Sequence, residues 1–392
     1  MSRRNKLKMV KSVLDYGAVG DGICDDYAAI QAALDSGAEE IVLPQGIYCV
    51  SETLKVSSNT SISADKTAKI IMKSKAGKKR NEFLLSNADV KNGNRSIQIT
   101  GGIWDGNNTA KEHEKPDIFD QEGYSGSLLN FVNVDGLVLK DMVLANSVTY
   151  YVRMSKLHHF AIEDISFISD KFGANQDGLH FGGDVKHGTV KNIRALSFGQ
   201  TNDDLIALNA DDSVERVENF DLARDDIEDI SFENLYAESC HTIIRMLSVT
   251  AAIKNIRIKN VYAGFRCYAI NLDGARYCRT PLFAEADYPD GVGHVSDISI
   301  ENFTCYPVFE LPEDWKGSPA NPRVALMFES TMHNFSISGF RRISVPNEPS
   351  DSLALKATNL VNERICADGK DYILSNKDDV LRLENFAELR IE

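Results

Sequence analysis

Leu139-Lys-Asp-Met-Val-Leu144, Ile162-Glu-Asp-Ile-Ser-Phe167, Val190-Lys-Asn-Ile-Arg-Ala195 and Ile227-Glu-Asp-Ile-Ser-Phe232 are four statements of one pattern. It continues as Ile253-Lys-Asn-Ile-Arg-Ile258, Val295-Ser-Asp-Ile-Ser-Ile300 and Met332-His-Asn-Phe-Ser-Ile337. Each statement holds an apolar residue, a polar one, Asp or Asn, and then apolar residues at every second position, the period of a strand. The shortest separations are roughly 23–28 residues, and longer ones read as the same unit with loop insertions. One unit of two or three short strands cannot bury its own apolar face, so the units must stack. The expected fold is all-β: a single-stranded right-handed parallel β-helix, or solenoid. A β-sandwich of hairpins is the alternative, but Asn-Gly and Asp-Gly turns do not punctuate the strands as hairpins require.

Working outward, both ends differ from the repeat. Asp25-Asp26 precede Tyr27-Ala-Ala-Ile-Gln-Ala-Ala-Leu34, and Gly37 follows. This predicts an N-capped amphipathic helix with Ile30, Ala33 and Leu34 on one face, a reasonable cover for the open end of a solenoid. From about residue 350 short strand-like runs persist without the repeat. The organisation expected is one domain, 1–392, with an N-terminal cap and first coil over about 12–50, coils over about 51–345 and a C-terminal cap over about 346–392. Insertions at roughly 108–126, 210–225 and 274–293 read as loops on a functional face.

Composition narrows the partners. Of 392 residues 43 % are hydrophobic, enough for a large core, and the formal net charge is -14. That charge disfavours nucleic acid, which needs a basic face. It also disfavours unaided capture of a polyanion. Seven cysteines without a CxxC read as free thiols, so neither a disulfide framework nor a metal site is expected. The basic start has no apolar run after it, so no signal peptide or membrane span is expected, and a cytoplasmic location fits unless a signal has been removed. No cofactor is expected, and the sequence leaves the oligomeric state open.

Two acidic motifs carry the chemistry: Asn175-Gln-Asp177-Gly178 and Asn202-Asp203-Asp204-Leu-Ile-Ala-Leu-Asn209. They lie about one coil apart, which would place three carboxylates on neighbouring rungs about 4.8 Å apart. Crowding of this kind raises the pKa of one carboxyl, the condition an acid needs near neutral pH. An inverting glycosidase sets its two carboxyls about 6.5–9.5 Å apart, within reach of one rung plus a lateral offset. In an extended segment Asn175 and Asp177 would share one face. Asp211-Asp212 reads instead as a solvated loop.

The chain resembles the polygalacturonases, glycoside hydrolase family 28, within the pectate-lyase-like β-helix superfamily. The resemblance runs over about 12–305. It is carried by Leu14-Asp-Tyr-Gly-Ala-Val-Gly20-Asp-Gly, Pro44-Gln-Gly-Ile-Tyr48, Gly101-Gly-Ile-Trp-Asp-Gly106-Asn and, most specifically, the two acidic motifs. It implies an inverting glycoside hydrolase acting on a pectic or related oligo- or polysaccharide. Asp203 would be the general acid, with Asp177 and Asp204 activating water. His241 matches the family histidine in position, though its flanking glycines are missing, and would tune the acid's proton. Asn175, Arg245, Arg276 and Tyr268 are candidate substrate contacts, with Arg266 a further cation for a uronate and Trp104, Tyr150 and Tyr151 further stacking surface. The family's Arg-Ile-Lys, which holds a uronate, would fall where this chain reads Tyr268-Ala-Ile-Asn-Leu-Asp273. Arg257-Ile-Lys259 lies inside the structural repeat and reads as coincidence. The competing functions are a polysaccharide lyase or uronate epimerase on the same fold, and a non-catalytic phage-type glycan-binding spike.

Overall fold

The computed structural model describes residues 8–73, 81–108, 125–211, 219–274, 285–288, 291–361, 363–376 and 379–392. These residues are nearly all β, and almost every strand pairs in parallel with the strand one coil later. Leu129, Val152, Leu179, Ile206, Ile244, Ile270, Leu326 and Leu355 follow one another in register and are fully buried, save traces at Ile206 and Ile244. The step along this column is 23 residues from Leu129 to Val152 and 56 from Ile270 to Leu326, so insertions lengthen a coil without breaking its register. Parallel pairing excludes the sandwich of hairpins, whose neighbouring strands run antiparallel.

The Asp or Asn of the repeat makes the corner of each coil. Asp141, Asp164, Asn192, Asp229, Asn255, Asp297 and Asn334 all have φ between 47° and 58°, the left-handed region that Asn and Asp tolerate best after glycine. The seven segments do not occupy one column, however. The first three corners continue in register through Asn234, Asn260 and Asn302. The last four follow Gly136, His159 and His187, five residues earlier on each coil. Each coil has two such corners flanked by the same residue types, so a pattern read from sequence slips from one to the other.

Side-chain amides tie the corners together. Asn192 donates to Asp164 at 2.9 Å, Asn234 to Asn192 at 2.8 Å, Asn260 to Asn234 at 3.1 Å and Asn302 to Asn260 at 3.2 Å. In the second column Asn255 donates to Asp229 and Asn334 to Asp297. Each amide meets the acceptor one rung back, as stacking at about 4.8 Å allows.

The helix spans Tyr27–Leu34 and buries Ile30, Ala33 and Leu34. Its capping differs from expectation. The Asp26 side chain makes no cap bond to the helix; it accepts from Val19 and Gly20 N–H groups, while Asp25 accepts from the Tyr27 N–H at 3.2 Å. At the other end pairing turns antiparallel: Phe335 meets Ile391 and Leu355 meets Leu383. Most of the insertions expected at 108–126 and 274–293, and residues 212–218 of the one at 210–225, fall outside the described residues.

Candidate active site

Register builds the site from three columns on one sheet. Asp204, Thr242 and Tyr268 are direct partners on successive rungs. Extending the Leu179–Ile206 pairing back two residues sets Asp177 beside Asp204, and the Gly178 N–H donates to the Asp204 carbonyl at 2.8 Å. One residue earlier on each rung stand Asp203, His241 and Cys267. Three residues after the first column Ala207, Arg245 and Asn271 are paired, and the small alanine leaves room beside the arginine.

A cavity of about 500 Å³ opens over these columns. Of the residues expected from sequence, Asn175, Asp203, Asp204, His241, Arg245 and Tyr268 line it. It is completed by Thr242, Cys267, Asn271, Asp273 and Glu329. Sequence reading did not assign roles to these five. Asp273 and Glu329 follow Leu272 and Phe328, which pair across adjacent rungs, so only the long-range register identifies them as neighbours.

The charges are strongly coupled. Asp204 is 2 % exposed, and burial raises its pKa well above the ordinary 3.8, helped by the negative charges of Asp203 and Asp177 and opposed by Arg245 and His241. Its Oδ2 receives no hydrogen bond, the nearest cation being Arg245 Nη1 at 3.8 Å. Burial of His241 works against its charged form. The neighbouring Asp203 carboxylate and Cys267 outweigh this and raise its pKa to about 10. His241 Nδ1 lies 3.3 Å from Asp203 Oδ1. Arg245 grips Asp273 through Nε at 3.2 Å and Nη2 at 2.9 Å. Asp203, Asp204 and His241 each bring a ligand atom within 4.8 Å of the others, and a cation there would compete with the protons of Asp204 and His241.

A buried brace holds the turn that carries Asp203. Arg266 is fully buried and donates to the carbonyls of Gly199, Ser239 and Asn202 and to the Asn202 side chain, which links this turn to the strand of His241. Trp315 covers the guanidinium at 4.8 Å, and Ser318 donates from its N–H and its hydroxyl to Asn202. A β-carbon on Gly199 would stand 2.2 Å from the Trp315 ring, so that turn requires glycine. Trp315 lies more than a hundred residues from Asn202, and no local signal connects them.

Several expectations change. Asn175 has φ 51°, which breaks the extended period, so it faces the cavity while the Asp177 carboxylate turns to His180 Nδ1 at 2.7 Å, both buried. Tyr150 stacks on that imidazole, with ring centres 3.8 Å apart. Trp104, Tyr150 and Tyr151 are buried and offer no stacking surface to a sugar, and Arg266 is spent on backbone carbonyls. Asp211 is not a solvated loop residue: it is buried and accepts from the N–H groups of Val249, Thr250 and Ala251; Asp212 lies outside the described residues. Arg276 also lies outside them. Arg257 and Lys259 sit exposed on the repeat strands, away from the cavity, with Lys259 paired to Glu301 at 3.4 Å.

Comparison with known proteins agrees with this architecture. Over 97 residues, 25 % of this chain, the sequence is 36 % identical to the preneck appendage protein of Bacillus phage PZA, and the match spans 11 % of that protein's length. The fold is similar to a family 28 exopolygalacturonase of Yersinia enterocolitica, with a TM-score of 0.50 at 15 % identity over 86 % of this chain and 75 % of that one. It is also similar to PfbA, a surface adhesin of Streptococcus pneumoniae, with a TM-score of 0.54 at 13 % identity over 98 % of both chains. At such identities the likeness is one of fold. Residues 10–266 match the family described as rhamnogalacturonase A/epimerase, pectate lyase-like, and this chain belongs to that family.

Proposed function

We propose that this protein is a glycoside hydrolase, and that Asp204 and Asp203 are its acid and base groups. The observation that carries the reading is the buried Asp204 carboxyl in the lining of a sugar-sized cavity, its pKa raised by burial and by two neighbouring carboxylates. A buried carboxyl of raised pKa is what a general acid needs. Asp203, paired with His241, is the ionised partner that deprotonates water, with Asp177 one rung back as the third carboxylate. This exchanges the acid and base roles that the polygalacturonase resemblance assigns. Asp203 and Asp204 bring oxygens within 4.8 Å of each other, closer than the roughly 6.5–9.5 Å of an inverting pair, so the inversion that the resemblance implies is not carried over to this pair. The scaffold would be a single right-handed coil closed at its start by the helix Tyr27–Leu34.

The second reading is a glycan-binding spike without catalysis, favoured by the segment shared with the phage appendage protein. One experiment separates them. The protein and its Asp203→Asn and Asp204→Asn variants are incubated with pectic and neutral oligosaccharides, reading reducing ends together with the absorbance of unsaturated uronides. New reducing ends without absorbance, lost in both variants, support hydrolysis. Absorbance supports a lyase instead, and binding without products supports the spike.

A further inference from the structure

The outward face of the sheet that carries the cavity has a covered half and an open half. Asn130, Arg153 and His180 are register partners on successive rungs. Each follows a core residue, Leu129, Val152 or Leu179, so by the period of two all three point away from the core. A polar outer face is ordinarily hydrated, yet these side chains and their next partner, Ala207, are buried. Further along the same column Arg245, Asn271, Met327 and Lys356 are partly exposed. The change falls between the rung of Asp204 and the rung of Arg245.

The cover is a strap, residues 219–225, the described end of the 210–225 insertion. It meets in turn the columns of Tyr150, Arg153 and Gly182. The Tyr150 hydroxyl donates to Asn219 at 2.8 Å, and the Phe220 ring lies 4.2 Å from the Arg153 guanidinium. Leu222 lies against Gly182, and the Ala223 N–H donates to the Ser155 hydroxyl at 2.9 Å. Backbone bonds then fix the strap: the Gly183 N–H donates to the Ala223 carbonyl at 2.9 Å, and the Asp225 N–H to the Ala210 carbonyl at 3.2 Å. A β-carbon on Gly183 would stand 2.2 Å from the Asp225 nitrogen, so the seat of the strap requires glycine. The strap is thus a wall across the groove, next to the rung of Asp204.

One rung is about 4.8 Å, no longer than a single sugar unit. A glycan lying over Asp204 and running across the coils finds accessible sheet on the side of Tyr268 and Asn271, while the rung of Asp177 and His180 is sealed. We propose that the cavity takes the end of a glycan chain, and that the protein removes one short fragment at a time from that end instead of cutting within the chain. This rests on the reading of the cavity as a hydrolase site. Each event breaks one glycosidic C–O bond, with water supplying a hydroxyl to the anomeric carbon and a proton to the leaving oxygen.

The test presents linear pectic and neutral oligosaccharides in three forms: free, blocked at the reducing end by a bulky conjugate, and blocked at the non-reducing end. Binding is read by calorimetry, and products by chromatography from the earliest times. The expected result is one short product of constant size. One of the two blocked forms should bind at least about tenfold more weakly than the free form and stay uncut. A double variant, Asn219→Ala with Phe220→Ala, removes two side-chain anchors of the strap; shown to be folded by thermal melting, it should narrow that difference. Fragments of mixed length at the earliest times, equal handling of all three forms, or an unchanged difference in the folded double variant overturns the proposal. Internal cleavage sinks this inference but spares the hydrolase, whereas binding that needs a free end, without cleavage, does the reverse. A panel neither bound nor cut removes both.

Discussion

The corners of the coils and the floor of the cavity use the same residue, aspartate, stacked at the same interval, with opposite results. At the corners Asp164 and Asp229 each meet an asparagine amide from the next rung, and their charge is both hydrogen-bonded and partly hydrated. In the cavity Asp204 meets Asp177 on one side and Thr242 on the other, with Asp203 adjacent in the chain. No amide comes, the side chain is buried, and the carboxyl's pKa is raised well above the ordinary range. The neighbour one rung away decides whether an aspartate's charge is satisfied or its pKa raised.

The comparison breaks most visibly at Asp204. Asp204→Asn is expected to lower kcat by about three orders of magnitude, the usual weight of a general acid. The same change should raise stability near neutral pH. A carboxyl whose folded pKa is raised costs stability as pH climbs above its unfolded value, and the amide carries no such charge. Urea denaturation at pH 5 and pH 8 checks this: the gain should be larger at pH 8.

Arg266→Met tests whether the brace positions Asp203. Leaving three buried carbonyls without their donor should cost about 3 kcal/mol in urea denaturation. Activity should fall further than Trp315→Phe causes, because the arginine, unlike Trp315, donates to both the Asp203 turn and the His241 strand.

Asn255→Ala probes a corner. It loses the bond to Asp229 and forces alanine to φ 52°, at a cost of about 1–2 kcal/mol; Asn255→Gly should recover the backbone part. Activity per folded molecule should not change, since this corner lies away from the cavity.

His241→Gln has an effect on stability that depends on pH. The folded pKa of about 10 exceeds the ordinary 6.5, so the pairing with Asp203 contributes fully below about pH 6.5 and is lost as pH rises through 10. The stability difference between wild type and variant should therefore narrow across that window.

Much of the fold was legible because its signal is periodic. Alternating apolar residues and an Asp or Asn at each turn encode a strand and a left-handed corner locally. The parallel stack follows from the need to bury each unit's apolar face. The phase between the two corners was not legible, since Asp164 and Asp229 have the same neighbours in sequence yet occupy different columns. The central residues of the site were visible as motifs, and Asp203, Asp204, His241 and Arg245 do converge. Asn271 and Asp273 lie on the coil that the sequence set beside the site but read as ordinary strand residues, whereas Glu329 and Trp315 follow the 274–293 insertion, whose length carries no pattern. The left-handed turn at Asn175, which sends Asp177 toward His180, could not be inferred from a two-residue period.

The most direct measurement is a carboxyl ¹³C titration of Asp204 by NMR, in wild type and in Asp203→Asn. The account predicts a midpoint well above the ordinary carboxylate range, moving downward when the neighbouring charge is removed. A midpoint near 4 in the wild type, unaffected by Asp203→Asn, would contradict it.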